Sequence, residues 1–331
     1  MKLTSRQRGR CLVLAVGIST ILVAAHAAPK DPLEIKVGLQ SVPPDEVYRT
    51  RNWGEKYNLK VDLGSYSSGN EILKAFVAGQ IDVGNGGSGR LVTLAAQQPD
   101  LFYIVATDEY GGERYGVVVR KDSPIKSVQE LKGKKIGAVT GSGCYSTFRI
   151  FLERNGMKES DFQIVNMKVE DLRAAVQQGI IDAAVTWEPH GAIGEKMGVV
   201  KRIQSMAGIS ESPNLVLVRR KFADEHPEAV ARYIATLIDV GKFIKNAPDQ
   251  AAVEAADNIS KKGVEIDPSA LELSLRRINV DPKLSDAMTD ELVPVAQSMK
   301  AAGKIGTVPD FKKLVRTDFY DQALKLTQST N

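Results

Sequence analysis

A short phrase occurs twice in the chain, one hundred residues apart. Gly79, Ile81 and Asp82 recur as Gly179, Ile181 and Asp182, each trio closing a helical stretch and opening a strand. The surroundings repeat as well. Leu33 to Leu39 alternates as a strand, Leu59 to Leu63 reads as a second, and Ser68-Gly69-Asn70-Glu71 opens a helix that Gly79 stops. The second copy offers strands at Lys135 to Val139, Phe162 to Val165 and Ile180 to Val185, with helices over Tyr145 to Arg154 and Asp171 to Gln178. Strands alternating with helices predict mainly parallel sheets, and a doubled order predicts two of them. The expected fold is therefore α/β, in two lobes.

Two further strands mark where the chain would pass between lobes. Tyr115 to Arg120 precedes the turn Lys121-Asp122-Ser123-Pro124, and Asn214 to Arg219 follows Ser212-Pro213. Read as hinge strands, they give one lobe from 28–118 and 218–331 and the other from 119–217. Beyond Phe222 the pattern is helical, broken near Pro248 and Pro268, and predicts an outer layer of helices on the first lobe.

The first 27 residues read as a cleavable leader. Lys2, Arg6, Arg8 and Arg10 precede an apolar run that ends in Ala25-His26-Ala27. This changes the charge balance, because the 44 Lys+Arg and 40 Asp+Glu include four leader charges that are all basic. Without the leader the formal charge is zero, and no excess of basic residues remains to suggest nucleic acid. Cys144 becomes the single cysteine, so an intrachain disulfide is excluded, and His190 and His226 are too few for a zinc site. No residue is assigned a catalytic task, and neither metal nor cofactor is expected.

Three predicted strand exits are rich in Gly and Ser: Ser67-Ser68-Gly69, Asn85 to Gly89, and Thr140-Gly141-Ser142-Gly143-Cys144. Glycine admits a ligand to the backbone, and a helix's first turn offers unpaired N–H donors, so these loops suit an anion. None is a nucleotide loop, since the third glycine and the phosphate-binding lysine are missing. Trp187 and Glu188 follow another strand and read as an apolar wall and a hydrogen-bond acceptor for the ligand. Cys144 could carry a lowered pKa at a helix start, although a small buried residue is the commoner outcome there. Arg90 and Arg149 lie just past two of the loops, within possible reach of an anion, although a solvated surface arginine is the commoner outcome.

The segment from Lys121-Asp122-Ser123-Pro124-Ile125 through Gly133-Lys134-Lys135 resembles the hallmark of the nitrate/sulfonate/taurine family of periplasmic solute-binding proteins. Ala78 to Asp82, Gly141-Ser142, Gln178 to Asp182 and Trp187-Glu188-Pro189 fit the same pattern, over roughly residues 33 to 245. The resemblance implies a type II-like periplasmic-binding-protein fold. It also implies a monomer that carries a small organic anion (a sulfonate, sulfate ester or aromatic carboxylate) to an ABC permease. Ligand contacts are then expected at Gln40, Ser41, Ser68, Gly69, Gly87, Ser88, Ser142, Gly143, Cys144, Tyr145 and Trp187, with Glu188 added from its position. The wider resemblance includes thiamine-pyrimidine synthases, which use a histidine and pyridoxal phosphate. A ligand-sensing receptor module is the third reading.

Overall fold

In the computed structural model, residues 31–329 are described, so the leader expected at 1–27 lies outside them. The chain first lays down β1 (Leu33–Gln40), α1 (Pro43–Tyr48), β2 (Leu59–Tyr66), α2 (Gly69–Val77), β3 (Val83–Gly87), α3 (Ser88–Gln97) and β4 (Phe102–Glu109). It then forms β5 (Tyr115–Arg120), β6 (Lys135–Ala138), α4 (Gly143–Arg154), β7 (Gln163–Asn166), α5 (Val169–Gln177), β8 (Ala183–Trp187), α6 (His190–Lys196) and β9 (Val200–Ser205). After β10 (Asn214–Arg219) the rest is helical. The helices are α7 (Arg220–Glu225), α8 (Pro227–Asn246), α9 (Pro248–Ser260), α10 (Pro268–Arg276), α11 (Asp286–Asp290), α12 (Leu292–Ala301) and α13 (Asp318–Ser329).

Two five-stranded sheets result, ordered β2-β1-β3-β10-β4 and β7-β6-β8-β5-β9. The repeat is visible in their chemistry. Gly79 and Gly179 adopt φ of +74° and +70°, which ends each helix in the left-handed turn that glycine tolerates. Asp82 accepts a hydrogen bond from the Lys36 amide and Asp182 one from the Lys135 amide, both at 2.9 Å, tying each phrase to the first parallel strand of its sheet. Ile81 and Ile181 are both buried. Each packs over a glycine of that strand, Gly38 and Gly137, where a Cβ would lie 2.6 and 2.5 Å from the isoleucine Cδ1.

The sheets are mixed rather than mainly parallel, with two parallel and two antiparallel pairings in each. Nor do the expected hinge strands bridge the lobes. β5 pairs along its length with β8 and β9, and β10 with β3 and β4. Val117 and Val119 of β5 enter one core while Val118 enters another, and Leu215 and Leu217 of β10 face away from Val216 and Val218 in the same manner. A strand apolar on both faces must be covered on both, which places it inside a sheet. The expected cuts at 118/119 and 217/218 therefore fall within strands. The passages between sheets are 110–114 and 206–213.

Helices α1, α8, α9 and α13 cover one face of the first sheet, and α2, α3 and α12 the other. Helix α10 extends this layer, packing on α9 with Leu271 and Leu275 in the same core, and its other side meets α6, beside the second sheet. Among the described residues, no helix is long and apolar enough to cross a membrane.

Candidate functional site

The carboxyl ends of β1, β3, β6 and β8 face a cleft of about 750 Å³. Four helices begin there: α2 and α3 beside the first sheet, α4 and α5 beside the second. Each first turn carries backbone N–H groups without intrahelical partners, so the cleft receives positive potential from both sides. Ser142 caps α4 by accepting a hydrogen bond from the Tyr145 amide at 3.1 Å, which leaves its hydroxyl proton free to donate. The helix thus starts two residues before the expected Tyr145, and Gly143 and Cys144 form its opening turn.

Arg90 brings a positive charge to the inner wall of the cleft, whose lining also includes Lys168 and the carboxylates Glu71, Glu170 and Asp171. From the first turn of α3 its guanidinium crosses to the start of α2, where a Cβ on Gly69 would stand 3.0 Å from Nη1 and equally close to Gln40 Oε1. Gly69 therefore leaves space for both groups. No carboxylate pairs with Arg90 among the described residues. Burial lowers its pKa from the ordinary arginine value, but a guanidinium keeps its charge across any working pH. Arg149, by contrast, is half exposed and pairs with Glu159 at 2.9 Å.

Behind the cleft floor lies a buried polar group of a different kind. Arg114 pairs with Glu109 and donates to the Ser212 carbonyl at 2.6 Å, so that cation is already neutralised. Asn214, which lines the cleft, donates to Asp108 at 3.1 Å, and Asn85 donates to the same carboxylate oxygen. Burial and the charge of Glu109 push the Asp108 carboxyl up to about 7. Asp45, which accepts from the Gln40 amide at 2.6 Å, is likewise raised by burial.

Of the residues singled out in the sequence, Gln40, Ser68, Gly69, Gly87, Ser142, Gly143, Cys144 and Trp187 line this cleft. Ser41 is exposed outside it, and Ser88 and Tyr145 face a second cavity across the α3–α4 contact. Glu188 points elsewhere. Its carboxylate accepts from Arg277 Nη1 at 2.7 Å, the Ala192 amide at 2.9 Å and Ser274 Oγ at 3.1 Å, with Arg202 at 3.8 Å. Buried, paired with Arg277 and outside the cleft lining, this carboxylate is not placed for the acceptor role expected of it. Cys144 is buried, donates to the Thr186 carbonyl at 3.3 Å, and has its thiol pushed up to about 12 by burial. Desolvation outweighs the helix dipole there.

Sequence reasoning favoured solvent over an anion contact for Arg90, and missed Glu109, Arg114, Asn214 and the start of α5. One signal was available. The offset of one hundred that matches Gly79 with Gly179 also carries Ser68-Gly69 onto Lys168-Val169, which line the cleft opposite them.

Comparison with known proteins agrees with this architecture. The family model described as NMT1/THI5 like matches residues 47–251. The taurine-binding periplasmic protein of Escherichia coli is 29% identical over 292 residues, spanning 84% of this chain and 90% of that protein. The periplasmic aliphatic sulphonate binding protein SsuA from Escherichia coli superposes with a TM-score of 0.75 at 20% identity, over 86% of this chain and 92% of its own. The same fold extends to an enzyme, the desulfurization enzyme DSZB, with a TM-score of 0.66 at 14% identity over 88% of this chain and 99% of that one. With its model spanning well over half the sequence, the chain belongs to the NMT1/THI5-like family, alongside periplasmic binding proteins for taurine and aliphatic sulfonates.

Proposed function

We propose that this protein binds a small organic anion headed by a sulfonate, holds it between its lobes and delivers it to an ABC permease from the periplasm. The observation that carries the reading is Arg90, a charged side chain set among four helix N-termini and without a carboxylate partner among the described residues. Three equivalent sulfonate oxygens match a fork of guanidinium donors flanked by backbone N–H groups. The names of the relatives support the same class. The leader read in residues 1–27 supports export.

In this reading the lobes divide at 110–114 and 206–213, and the ligand's contacts are Gln40, Ser68, Gly69, Gly87, Arg90, Ser142, Gly143 and Trp187. Helices of both lobes reach one anion only when the cleft is closed, so binding draws the population toward closure. We read the site as a carrier rather than a catalyst. Cys144 is held as a thiol, and burial pushes His190 down to about 4, so neither is poised for nucleophilic or acid–base work near neutral pH. Titration calorimetry with sulfonates, sulfate esters and carboxylates tests the ligand class. Arg90→Gln should weaken the best ligand by about 100-fold, the scale of losing a desolvated charged contact. An R90Q protein that binds sulfonates like the parent would overturn the proposal.

A further inference from the structure

The cleft does not end at Arg90. It continues into a second cavity of about 1650 Å³, and Asn70, Arg90, Tyr115, Thr140 and Gly143 line both spaces. Gly143 stands at the junction, where a Cβ would come within 3.2 Å of the Tyr115 hydroxyl and narrow the passage. Beyond it the cavity follows α2, α3 and α12 on one side and α4 on the other, so it is walled by both lobes. From Asn70 to Val77 of α2 it extends roughly 10 Å at the helical rise per residue.

Its lining is mixed along that length. At the Arg90 end are helix N-termini and polar side chains. Further along, Leu73 and Val77 of α2, Ile150 of α4 and Met299 of α12 supply apolar surface among the exposed charged side chains Lys74, Glu153, Arg154 and Lys304. Val77 is 40% exposed, and Leu73, Ile150 and Met299 are only half-buried, so the fold leaves apolar surface uncovered on both walls of one groove. Moving away from the helix N-termini, an anion loses the favourable end of each dipole, whereas an apolar group is indifferent to it and gains by leaving water. A charged head therefore fits at one end of the continuous space and an apolar body at the other.

We propose that this second cavity takes the apolar body of the ligand, so that the protein selects amphiphilic organic anions with a long or bulky apolar tail over small ones. The proposal rests on the anion reading above and adds where the remainder of the molecule lies. The test is calorimetry with linear alkane-1-sulfonates from ethane- to octanesulfonate. Affinity should rise with chain length by up to about fourfold per buried methylene. Val77→Asp and Ile150→Asp, on opposite walls, should each weaken octanesulfonate about tenfold or more and leave ethanesulfonate unchanged, whereas Arg90→Gln should weaken both. Equal affinity along the series, or V77D and I150D proteins that bind octanesulfonate like the parent, would overturn the tail site while leaving the anion site standing. Failure of every sulfonate to bind would remove both.

Discussion

Asp108 shows how one side chain beneath a binding surface can tune the whole chain. Its carboxyl is pushed up to about 7, while an aspartate in an unfolded chain titrates near about 4. Between these values the folded protein keeps a proton that the unfolded chain has released, so this group lowers stability as pH rises from about 4 to 7 and adds no further slope above. His190 acts in the opposite sense. Burial, aided by the charge of Arg173, pushes it down to about 4, so its contribution is present above about 6.5 and is lost as pH falls toward 4. Asp108→Asn keeps an acceptor for Asn85 and Asn214 but removes the proton. Its unfolding free energy, followed by denaturant titration from pH 4 to 8, should climb more steeply with pH than the parent's. Parallel profiles would show that the carboxyl titrates normally. Arg90 makes the complementary point, since its charge faces open space where Arg114 is already paired.

Among the elements, the repeated helix-to-strand junction separates two uses of glycine. Gly179 has φ +70° and no atom near its missing Cβ, so Gly179→Ala should cost about 1 kcal/mol through backbone strain alone. Gly137 meets the Ile181 and Leu172 side chains at 2.5 and 2.7 Å, so Gly137→Ala overpacks a core and should cost about 2–3 kcal/mol. Thermal or denaturant unfolding of the two variants gives the ranking, and a reversed order would mean that the second core yields more readily than its packing suggests. Such junctions were legible in the sequence because Gly-x-Ile-Asp combines a cap, a core anchor and an amide acceptor within four residues. The placement of β5 and β10 was not. Tyr115 to Arg120 and Asn214 to Arg219 are continuous apolar runs, and such a run reads alike whether it spans two lobes or fills the middle of one sheet. The site was legible where it rests on local Gly-Ser signals. It was hidden where it depends on reach, as with Arg90 crossing to Gly69, or on a distant partner, as with Glu188 and Arg277.

At the scale of the whole molecule, the contact between α6 and α10 joins the lobes away from the ligand cleft. Arg277 bridges Glu188 and Glu195 at 2.7 and 2.8 Å, and Ser274 completes the set around a carboxylate that is 4% exposed. Arg277→Ala leaves that carboxylate short of its cation and should destabilise the protein by about 3 kcal/mol, measured by denaturant unfolding. A loss below about 1 kcal/mol would mean that Arg202 takes over the pairing. The strand order carries a different consequence, concerning synthesis and not binding. β10 lies between β3 and β4, yet it is made only after the entire second sheet. A nascent chain that has emerged as far as residue 213 holds every strand of one sheet and an open gap in the other. The lobe that leaves the ribosome first is thus the one completed last, and until then it presents two unpaired strand edges to whatever machinery escorts the chain.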